Sequence, residues 1–198
     1  GKHQRLRSEV DKKWAEQEQV HIARRFSGGG AVYHDLGNVN LTFIETVSRL
    51  PDFKTYLHRV LEFFVSIGLT AEGDERLGIY LHGLKISGSA QCVYKNRVLY
   101  HCTLLYDTDM TILNKVLNPE GKIEEKESVP VYAVPSVRSA VTNISNYLPM
   151  ETIEDFKKTV FQYFSKGQSA VAFNEWELGV IDKLRKEKYI RDEWIFSR

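Results

Sequence analysis

Three consecutive glycines, Gly28, Gly29 and Gly30, are the residues of this 198-residue sequence best suited to hold a ligand. Glycine lacks a Cβ atom, so its backbone adopts positive φ angles and can come close to a bound molecule. Successive N–H groups in such a turn form a concave site for anions, phosphate above all. Arg25 precedes the glycines and can add a charge-assisted hydrogen bond of about 1.5–3 kcal/mol. The pattern favours a phosphate-binding loop over a tight structural turn, although it is neither the Walker motif nor the dinucleotide GxGxxG motif.

A polar segment, His34 to Asn38, follows this loop directly and adds an imidazole, a carboxylate and an amide. The carboxylate of Asp35 provides the oxygen ligands that Mg²⁺ prefers. Aspartate also caps turns by accepting hydrogen bonds from backbone N–H groups. The spacing leaves both roles open for Asp35.

Lys85 is the second candidate for chemistry. It lies between apolar Leu84 and Ile86 in a predicted strand, so its side chain points to the opposite face from theirs. A single lysine on a strand is usually a solvated surface residue. Here the small residues of the run 87–90, Ser-Gly-Ser-Ala, follow it and leave room for a ligand against the sheet.

Four blocks of sequence resemble the lipoate–protein ligase A and lipoyltransferase family. Residues 24–38 read Arg-Arg-x-Ser-Gly-Gly-Gly-Ala-Val-Tyr-His-Asp-x-Gly-Asn, which is similar to the signature loop of that family. Residues 85–90 (Lys-Ile-Ser-Gly-Ser-Ala), 101–105 (His-Cys-Thr-Leu-Leu) and 136–143 (Ser-Val-Arg-Ser-x-Val-Thr-Asn) follow in the family's order. Cys102 stands where most members have glycine, and eukaryotic lipoyltransferases of the family also tend to carry cysteine there.

The resemblance implies an ATP-dependent enzyme that converts lipoate to lipoyl-AMP and then transfers the lipoyl group to a lysine of an acceptor domain. It implies ATP and Mg²⁺ as cofactors, with Asp35 as the possible metal ligand, and Lys85 as the catalytic residue. The adenylate-binding residues it implies are Arg25, Gly28, Gly29, Gly30, Ala31, Val32, Tyr33 and Lys85. The lipoate-binding residues it implies are Ser27, His34, Lys85 and His101.

A lysine suits this reaction for an electrostatic reason. Activation brings a carboxylate to the α-phosphorus of ATP, and a fixed ammonium group lowers the repulsion between the two anions. In the family the same lysine contacts both the acyl carbonyl and the phosphate of the adenylate. Loss of one such contact typically costs about 10²–10³ in rate.

The implied acceptors are the lipoyl domains of 2-oxoacid dehydrogenase E2 subunits and the glycine cleavage H protein. Three alternatives remain open: a lipoyltransferase that uses preformed lipoyl-AMP, an octanoyl or lipoyl transferase that acts from a carrier protein, and a non-catalytic lipoate-binding protein. The carrier-dependent enzyme would need a cysteine nucleophile, for which Cys92 and Cys102 are the candidates. Some family members without the accessory domain transfer preformed lipoyl-AMP, and some need a separate accessory-domain protein.

The elements that must position these residues are predicted from hydrophobic periodicity. The predicted strands are Val20–Ala23, Val39–Glu45, Leu77–Leu81, Leu84–Tyr94 and Val98–Tyr106. The predicted helices are Ser8–Gln19 with Ser8 as N-cap, Pro51–Leu69, Met110–Leu117, Ile153–Phe164 and Trp176–Lys188, and Gly121–Pro130 is a predicted exposed loop. The pattern indicates an α+β fold with a largely antiparallel central sheet flanked by helices. The resemblance refines this to the catalytic domain shared by class II aminoacyl-tRNA synthetases and biotin–lipoate ligases.

Length and composition favour one domain over residues 1–198. The segment Gly1-Lys2-His3-Gln4 resembles a family segment that normally lies well inside the protein, so we expect the family's first helix and strand, and its C-terminal accessory domain, to lie outside this chain. A net charge of +1 gives no support to nucleic-acid or membrane binding by bulk attraction. Two cysteines without metal-site spacing favour a reducing compartment, the cytoplasm, or the mitochondrion in a eukaryote.

Overall fold

Five antiparallel strands form the central sheet, in the order β1-β5-β4-β3-β2. The strands are β1 (Asn38–Thr46), β2 (Glu72–Gly73), β3 (Ile79–Leu81), β4 (Leu84–Tyr94) and β5 (Arg97–Leu105). The helices are α1 (Leu6–Glu9), α2 (Lys12–Gln17), α3 (Lys54–Ser66), α4 (Met110–Val116), α5 (Ile153–Ser165), α6 (Glu175–Leu184) and α7 (Asp192–Ile195). This α+β architecture confirms the predicted fold class.

The computed structural model describes residues 1–117, 136–148, 150 and 152–196. Its contacts divide the chain into two compact units. We call His34–Met110 with Arg138–Gly167 the sheet unit, and Gly1–Tyr33 with Thr111–Val137 and Gln168–Arg198 the loop unit. The predicted loop Gly121–Pro130 lies outside the described residues, and the prediction of a single domain stays a prediction.

In the sheet unit, the core lies between one face of the sheet and the apolar faces of α3 and α5. The rings of Tyr56 and Tyr100 stack at 5.3 Å between centroids, and those of Tyr106 and Phe156 stack at 4.5 Å. Phe63 is fully buried among the same residues. The three- and four-residue spacing of apolar side chains in α3 therefore packs the core, as the sequence predicted.

The hairpin turns of the sheet unit follow their predicted positions. His82 and Gly83 have φ angles of 50° and 79°, and Lys95 has a φ angle of 55°, so both turns use left-handed backbone. The β4–β5 ladder runs without a shift from Ser87 opposite Leu104 to Tyr94 opposite Arg97. This register places the second and third sequence blocks on adjacent strands.

In the loop unit, two predictions were wrong. Val20–Ala23 is not a strand, because no neighbouring strand pairs with it in the described part of the chain. The predicted helix Ser8–Gln19 is two short helices, and the N-cap of the second is Asp11, which accepts a hydrogen bond from the Trp14 N–H at 2.9 Å. Ser8 lies within α1 instead.

The last predicted helix, Trp176–Lys188, is confirmed with a change of type along its length. It begins with a capping box in which Asn174 and Glu177 exchange hydrogen bonds, and it runs as α6 to Leu184. Arg185–Tyr189 then continues as a π-helical turn. Among the described residues, no helix is long and apolar enough to cross a membrane.

Candidate active site

The glycine loop is shaped by the side chain of Arg25. Its Nε and Nη2 atoms donate to the Gly28 carbonyl at 3.1 and 2.7 Å, and Nη2 also donates to the Gly30 carbonyl at 2.8 Å. Burial lowers the pKa of Arg25, although the group stays a cation at any physiological pH. Arg25 therefore binds the loop's own carbonyl oxygens, and its predicted contact with a phosphate stays a prediction.

The backbone N–H groups of the same glycines have no partner in the part of the chain that the structure describes. The N–H groups of Gly28, Gly29 and Gly30 donate no hydrogen bond to any described residue. Unpaired backbone N–H groups cost free energy unless water or a ligand satisfies them. Three such N–H groups in succession are suited to an anion, and the anion-binding concavity stays a prediction.

The three glycines meet different demands. Gly29 has a φ angle of 85°, which L-residues with side chains rarely adopt. A Cβ atom on Gly30 would lie 2.7 Å from the Oγ of Ser136, whereas one on Gly28 would meet nothing within 4 Å. Backbone geometry therefore requires glycine at 29, close packing requires it at 30, and the described residues leave open space at 28.

Ser136, the first residue of the fourth sequence block, fastens this loop. Its Oγ accepts hydrogen bonds from the Ala31 N–H and from the Gln4 side-chain amide, both at 2.8 Å. Its own N–H donates to Glu9 Oε1 at 2.9 Å. The sequence marked Ser136 as part of a block but gave no partner for it, because its contacts are more than 100 residues away along the chain.

Arg24 has a structural role that the sequence did not distinguish from the role of Arg25. Its side chain is buried, with an exposed fraction of 6%. Its Nε donates to the Ile195 carbonyl at 2.9 Å, and its Nη1 donates to the carbonyls of Gly1 and Gln4 at 2.9 and 2.8 Å. The Trp194 indole in turn donates to the Arg24 carbonyl at 2.8 Å. Arg24 thus joins three segments of the loop unit.

The other predicted residues of the loop unit differ in exposure. Ser27 is buried, and its carbonyl accepts a hydrogen bond from the Lys2 N–H at 2.9 Å. The Val32 side chain is exposed, with a fraction of 44%. The Ala31 N–H donates to Ser136, and Tyr33 is the last residue of the first segment of the loop unit.

Asp35, in the sheet unit, caps a turn. Its Oδ1 accepts from the Gly37 N–H and its Oδ2 from the Asp109 N–H, both at 2.8 Å, and its own N–H donates to Asn38 Oδ1. Within the described residues, no group of three His, Cys, Asp or Glu side chains could hold a metal ion. Both carboxylate oxygens of Asp35 thus hold backbone N–H groups of a turn, and its role as a Mg²⁺ ligand stays a prediction.

Lys85 is locked at its backbone between two chain segments. Its N–H donates to the Ala140 carbonyl at 2.8 Å, and its carbonyl accepts from the Thr142 N–H at 3.0 Å. These two hydrogen bonds pair Lys85 with Val141 in a parallel bridge. Tyr80 lies opposite it across the β3–β4 ladder. The structure thereby brings the second and fourth sequence blocks together.

The surroundings of the Lys85 side chain keep it half-buried. Cβ atoms on Gly78 and Gly88 would lie 3.2 and 3.8 Å from its Cε, so both glycines leave it room. Burial lowers the pKa of Lys85, the charge of Asp74 opposes this, and the charge of Arg76 adds to the lowering. The room for a ligand that the run 87–90 predicts beside Lys85 stays a prediction.

The third sequence block lies on β5, next to the Lys85 strand. His101 pairs with Ala90 and Cys102 with Ser89 in the ladder. The Cys102 side chain is buried, and burial raises the pKa of its thiol to about 12. A thiol so far from ionisation is a poor nucleophile.

The amino-acid sequence also matches known proteins. The family model of the lipoyl protein ligase A/B catalytic domain matches residues 1–165. The chain belongs to this family. It is 34% identical over 208 residues to lipoate–protein ligase 1 of Staphylococcus aureus, in a match that covers 100% of this chain and 60% of that protein. The chain spans 58–61% of the length of the curated relatives that it matches.

Solved structures of the family have the same fold. The bi-partite lipoate protein ligase of Thermoplasma acidophilum, studied with its E2 lipoyl domain, is 27% identical, with a TM-score of 0.82 over 99% of this chain and 78% of that one. A lipoate–protein ligase A bound with ATP is 26% identical, with a TM-score of 0.79 over 99% of this chain and 80% of that one. The resemblance seen in the four sequence blocks is therefore confirmed at the level of family and fold.

Proposed function

We propose that this lipoyl ligase family chain is the catalytic part of a lipoate–protein ligase, which forms lipoyl-AMP from lipoate and ATP and transfers the lipoyl group to a lysine of an acceptor domain. The observation that carries the proposal is the run of three N–H groups at Gly28–Gly30, which have no partner among the described residues and whose carbonyls at 28 and 30 are held by Arg25. Such a run suits the phosphate of an acyl-adenylate and would discriminate little between different acyl groups on that phosphate.

Lys85 has the complementary role in this proposal. Its ammonium group is half-buried, so its field on a nearby carbonyl is screened less than that of a surface lysine. It would polarise the acyl carbonyl when the acceptor amine attacks, and it would stabilise the negative charge that develops on the carbonyl oxygen. An ammonium group that is already held in position does not have to move when the negative charge develops, so its position decides how much it stabilises the transition state.

The substrates and partners are proposals on the same basis. ATP and lipoate are proposed because a relative is described as bound with ATP and the relatives are named lipoate–protein ligases. The proposed acceptors are E2 lipoyl domains and the glycine cleavage H protein. Mg²⁺ would enter with the ATP phosphates rather than through a protein cage, which is usual for this ion. We also propose a cytoplasmic location, or a mitochondrial one in a eukaryote, on the basis of the two free cysteines.

A second candidate is transfer from preformed lipoyl-AMP, with adenylation carried out elsewhere. One observation favours keeping it: the Thermoplasma relative is a bi-partite ligase, an arrangement that would allow adenylation and transfer to depend on different parts. A carrier-dependent transferase with a cysteine nucleophile is less well supported, because Cys102 is buried and its thiol is far from ionisation.

The test uses the full-length protein with an apo lipoyl domain as acceptor, and intact-mass spectrometry as the readout. One reaction contains ATP, Mg²⁺ and lipoate, and the other contains synthetic lipoyl-AMP alone. Modification in both reactions is expected for a ligase, and modification only with lipoyl-AMP would support the second candidate. If neither reaction modifies the acceptor while an active family ligase does so in parallel, the proposed activity is wrong.

A further inference from the structure

A hydrogen-bonded pair, Asp74 and Tyr80, lies beside Lys85 in the sheet unit. The Tyr80 hydroxyl donates to Asp74 Oδ2 at 2.9 Å. Tyr80 pairs with Lys85 across the β3–β4 ladder, and the Lys85 Nζ lies 5.9 Å from the centre of the Tyr80 ring. None of the four sequence blocks contains Asp74 or Tyr80, so the resemblance assigned neither of them a role.

Asp74 is itself held rigidly. Its Oδ1 accepts hydrogen bonds from the N–H groups of Gly78 at 2.7 Å and Arg76 at 3.0 Å. This leaves Oδ2 directed at the Tyr80 hydroxyl. The carboxylate is therefore fixed by the turn between β2 and β3 and cannot follow Lys85 if the lysine moves.

Gly78 completes the arrangement by its lack of a side chain. A Cβ atom there would lie 3.1 Å from a ring carbon of Tyr80 and 3.2 Å from both Asp74 Oδ1 and the Lys85 Cε. All three side chains thus converge on one glycine. An aspartate that only capped its turn would account for the bonds to Oδ1, but not for the bond of its Oδ2 to the tyrosine beside the lysine.

We propose that Asp74 and Tyr80 form a positioning pair, in which the tyrosine ring, fixed through its hydroxyl by the carboxylate, holds the Lys85 side chain where it meets the acyl-adenylate. This inference rests on the proposed function of Lys85. Neither residue touches the reacting atoms in this account. Their effect reaches the reaction only through the position and charge of the lysine.

The charges around Lys85 give the pair an electrostatic consequence. The carboxylate of Asp74 acts to keep the lysine protonated, and Arg76 acts against it. The segment across the parallel bridge, residues 139–143, contains no ionisable side chain, and its Ser139 contacts the Tyr80 hydroxyl. Among the described groups that act on Lys85, Asp74 is therefore the negative one. Its charge opposes the lowering of the Lys85 pKa by burial and by Arg76.

Two variants separate positioning from turn capping. Tyr80→Phe keeps the ring and the turn but removes the hydrogen bond that fixes them to each other. Asp74→Asn keeps an oxygen acceptor in the turn but removes the charge. Tyr94→Phe, on an exposed tyrosine at the end of β4, and Asp52→Asn, whose exposed carboxylate caps the Lys54 N–H at 2.9 Å, are the matched controls.

The first measurement is the rate of lipoyl transfer from synthetic lipoyl-AMP as a function of pH. We expect Tyr80→Phe and Asp74→Asn to lower kcat about tenfold with little change in KM, less than the ~10²–10³ expected for loss of the ammonium itself. Transfer needs protonated Lys85, so the rate falls as the pH rises through its pKa. Loss of the Asp74 charge lowers that pKa, and the alkaline limb of the Asp74→Asn profile should move to lower pH.

The second measurement does not depend on activity. Lysines are labelled by reductive ¹³C-methylation, and the Lys85 signal is assigned by its loss in Lys85→Arg. Its titration midpoint should move to lower pH in Asp74→Asn and stay unchanged in Asp52→Asn. If both kcat and the Lys85 titration in the two variants equal those of the controls, the positioning pair is refuted. If Lys85→Met transfers normally, the proposed function of Lys85 fails, and the pair then has nothing to position.

Discussion

In the proposed function the glycine loop and the Lys85 strand both stabilise negative charge, but with different groups. The loop offers backbone N–H groups, and its cation, Arg25, is directed inward to the loop's own carbonyls. The Lys85 strand has its backbone fully engaged on both sides and offers a side-chain cation. The loop should therefore be sensitive to a Cβ atom added at Gly29 or Gly30, and the strand to the loss of one charged group.

The largest effect is expected at the lysine. Lys85→Met removes the ammonium and keeps most of the apolar stem, so transfer from lipoyl-AMP should fall by about 10²–10³ while the fold is retained. The measurement is the single-turnover rate with an apo lipoyl domain. Lys54→Met, at an exposed lysine of the same unit, should transfer normally, and a Lys85→Met rate equal to it would remove the lysine from the mechanism.

Arg24, the first of the two arginines before the glycines, should affect the stability of the fold. Arg24→Met leaves several buried carbonyls without a donor and should lower the free energy of unfolding by about 3 kcal/mol. Guanidinium denaturation followed by circular dichroism measures this. Arg185→Met, which removes an exposed ion pair with Asp182 at 2.9 Å, should change stability by less than about 1 kcal/mol. Equal losses in the two variants would contradict the structural role of Arg24.

A smaller effect distinguishes the glycines from one another. Gly30→Ala forces its Cβ atom against Ser136 Oγ and should weaken binding of a non-reactive lipoyl-adenylate analogue by about 1–2 kcal/mol, because the loop must shift. Gly28→Ala has open space and should bind nearly as well as the unmodified chain. Similar affinities for the two variants, measured by calorimetry, would show that packing against Ser136 does not set the loop.

The smallest effect is expected at the cysteines. Since the Cys102 thiol is buried and its pKa is raised to about 12, iodoacetamide at neutral pH should label Cys92 first and leave Cys102 unmodified in the folded chain. Cys92→Ser and Cys102→Ser should keep transfer within about twofold, since a mechanism through lysine and a backbone loop needs no thiol. A loss of all transfer in either variant would instead support the carrier-dependent transferase.

The sheet unit was largely predictable from the sequence. Alternation of apolar and polar residues gave β1, and the turn residues at 82–83 and 95–96 separated β3, β4 and β5 close to their observed ends. These signals are local, and burial of one sheet face makes the alternation strict. The position of Lys85 on its strand followed from the same alternation.

The loop unit was less predictable because long-range contacts decide it. Val20–Ala23 has the composition of a strand but no partner strand among the described residues, and the neighbouring Arg24 is fixed by carbonyls near both ends of the chain. The local amino-acid composition does not predict hydrogen-bond partners that lie far away along the chain. Asp35 shows the same limit at short range, because turn cap and metal ligand have the same sequence pattern and its two turn-capping hydrogen bonds appear only in the structure.

The central claim, that the backbone of the glycine loop binds the adenylate, is tested most directly by calorimetric titration of Gly29→Val with a non-reactive lipoyl-adenylate analogue. Valine disfavours the φ angle of 85° at this position, so the N–H groups of the loop cannot keep their arrangement. We predict that affinity falls by more than about tenfold, since even one charge-assisted hydrogen bond is worth about 1.5–3 kcal/mol. Affinity equal to that of the unmodified chain, with the fold intact by circular dichroism, would contradict the claim.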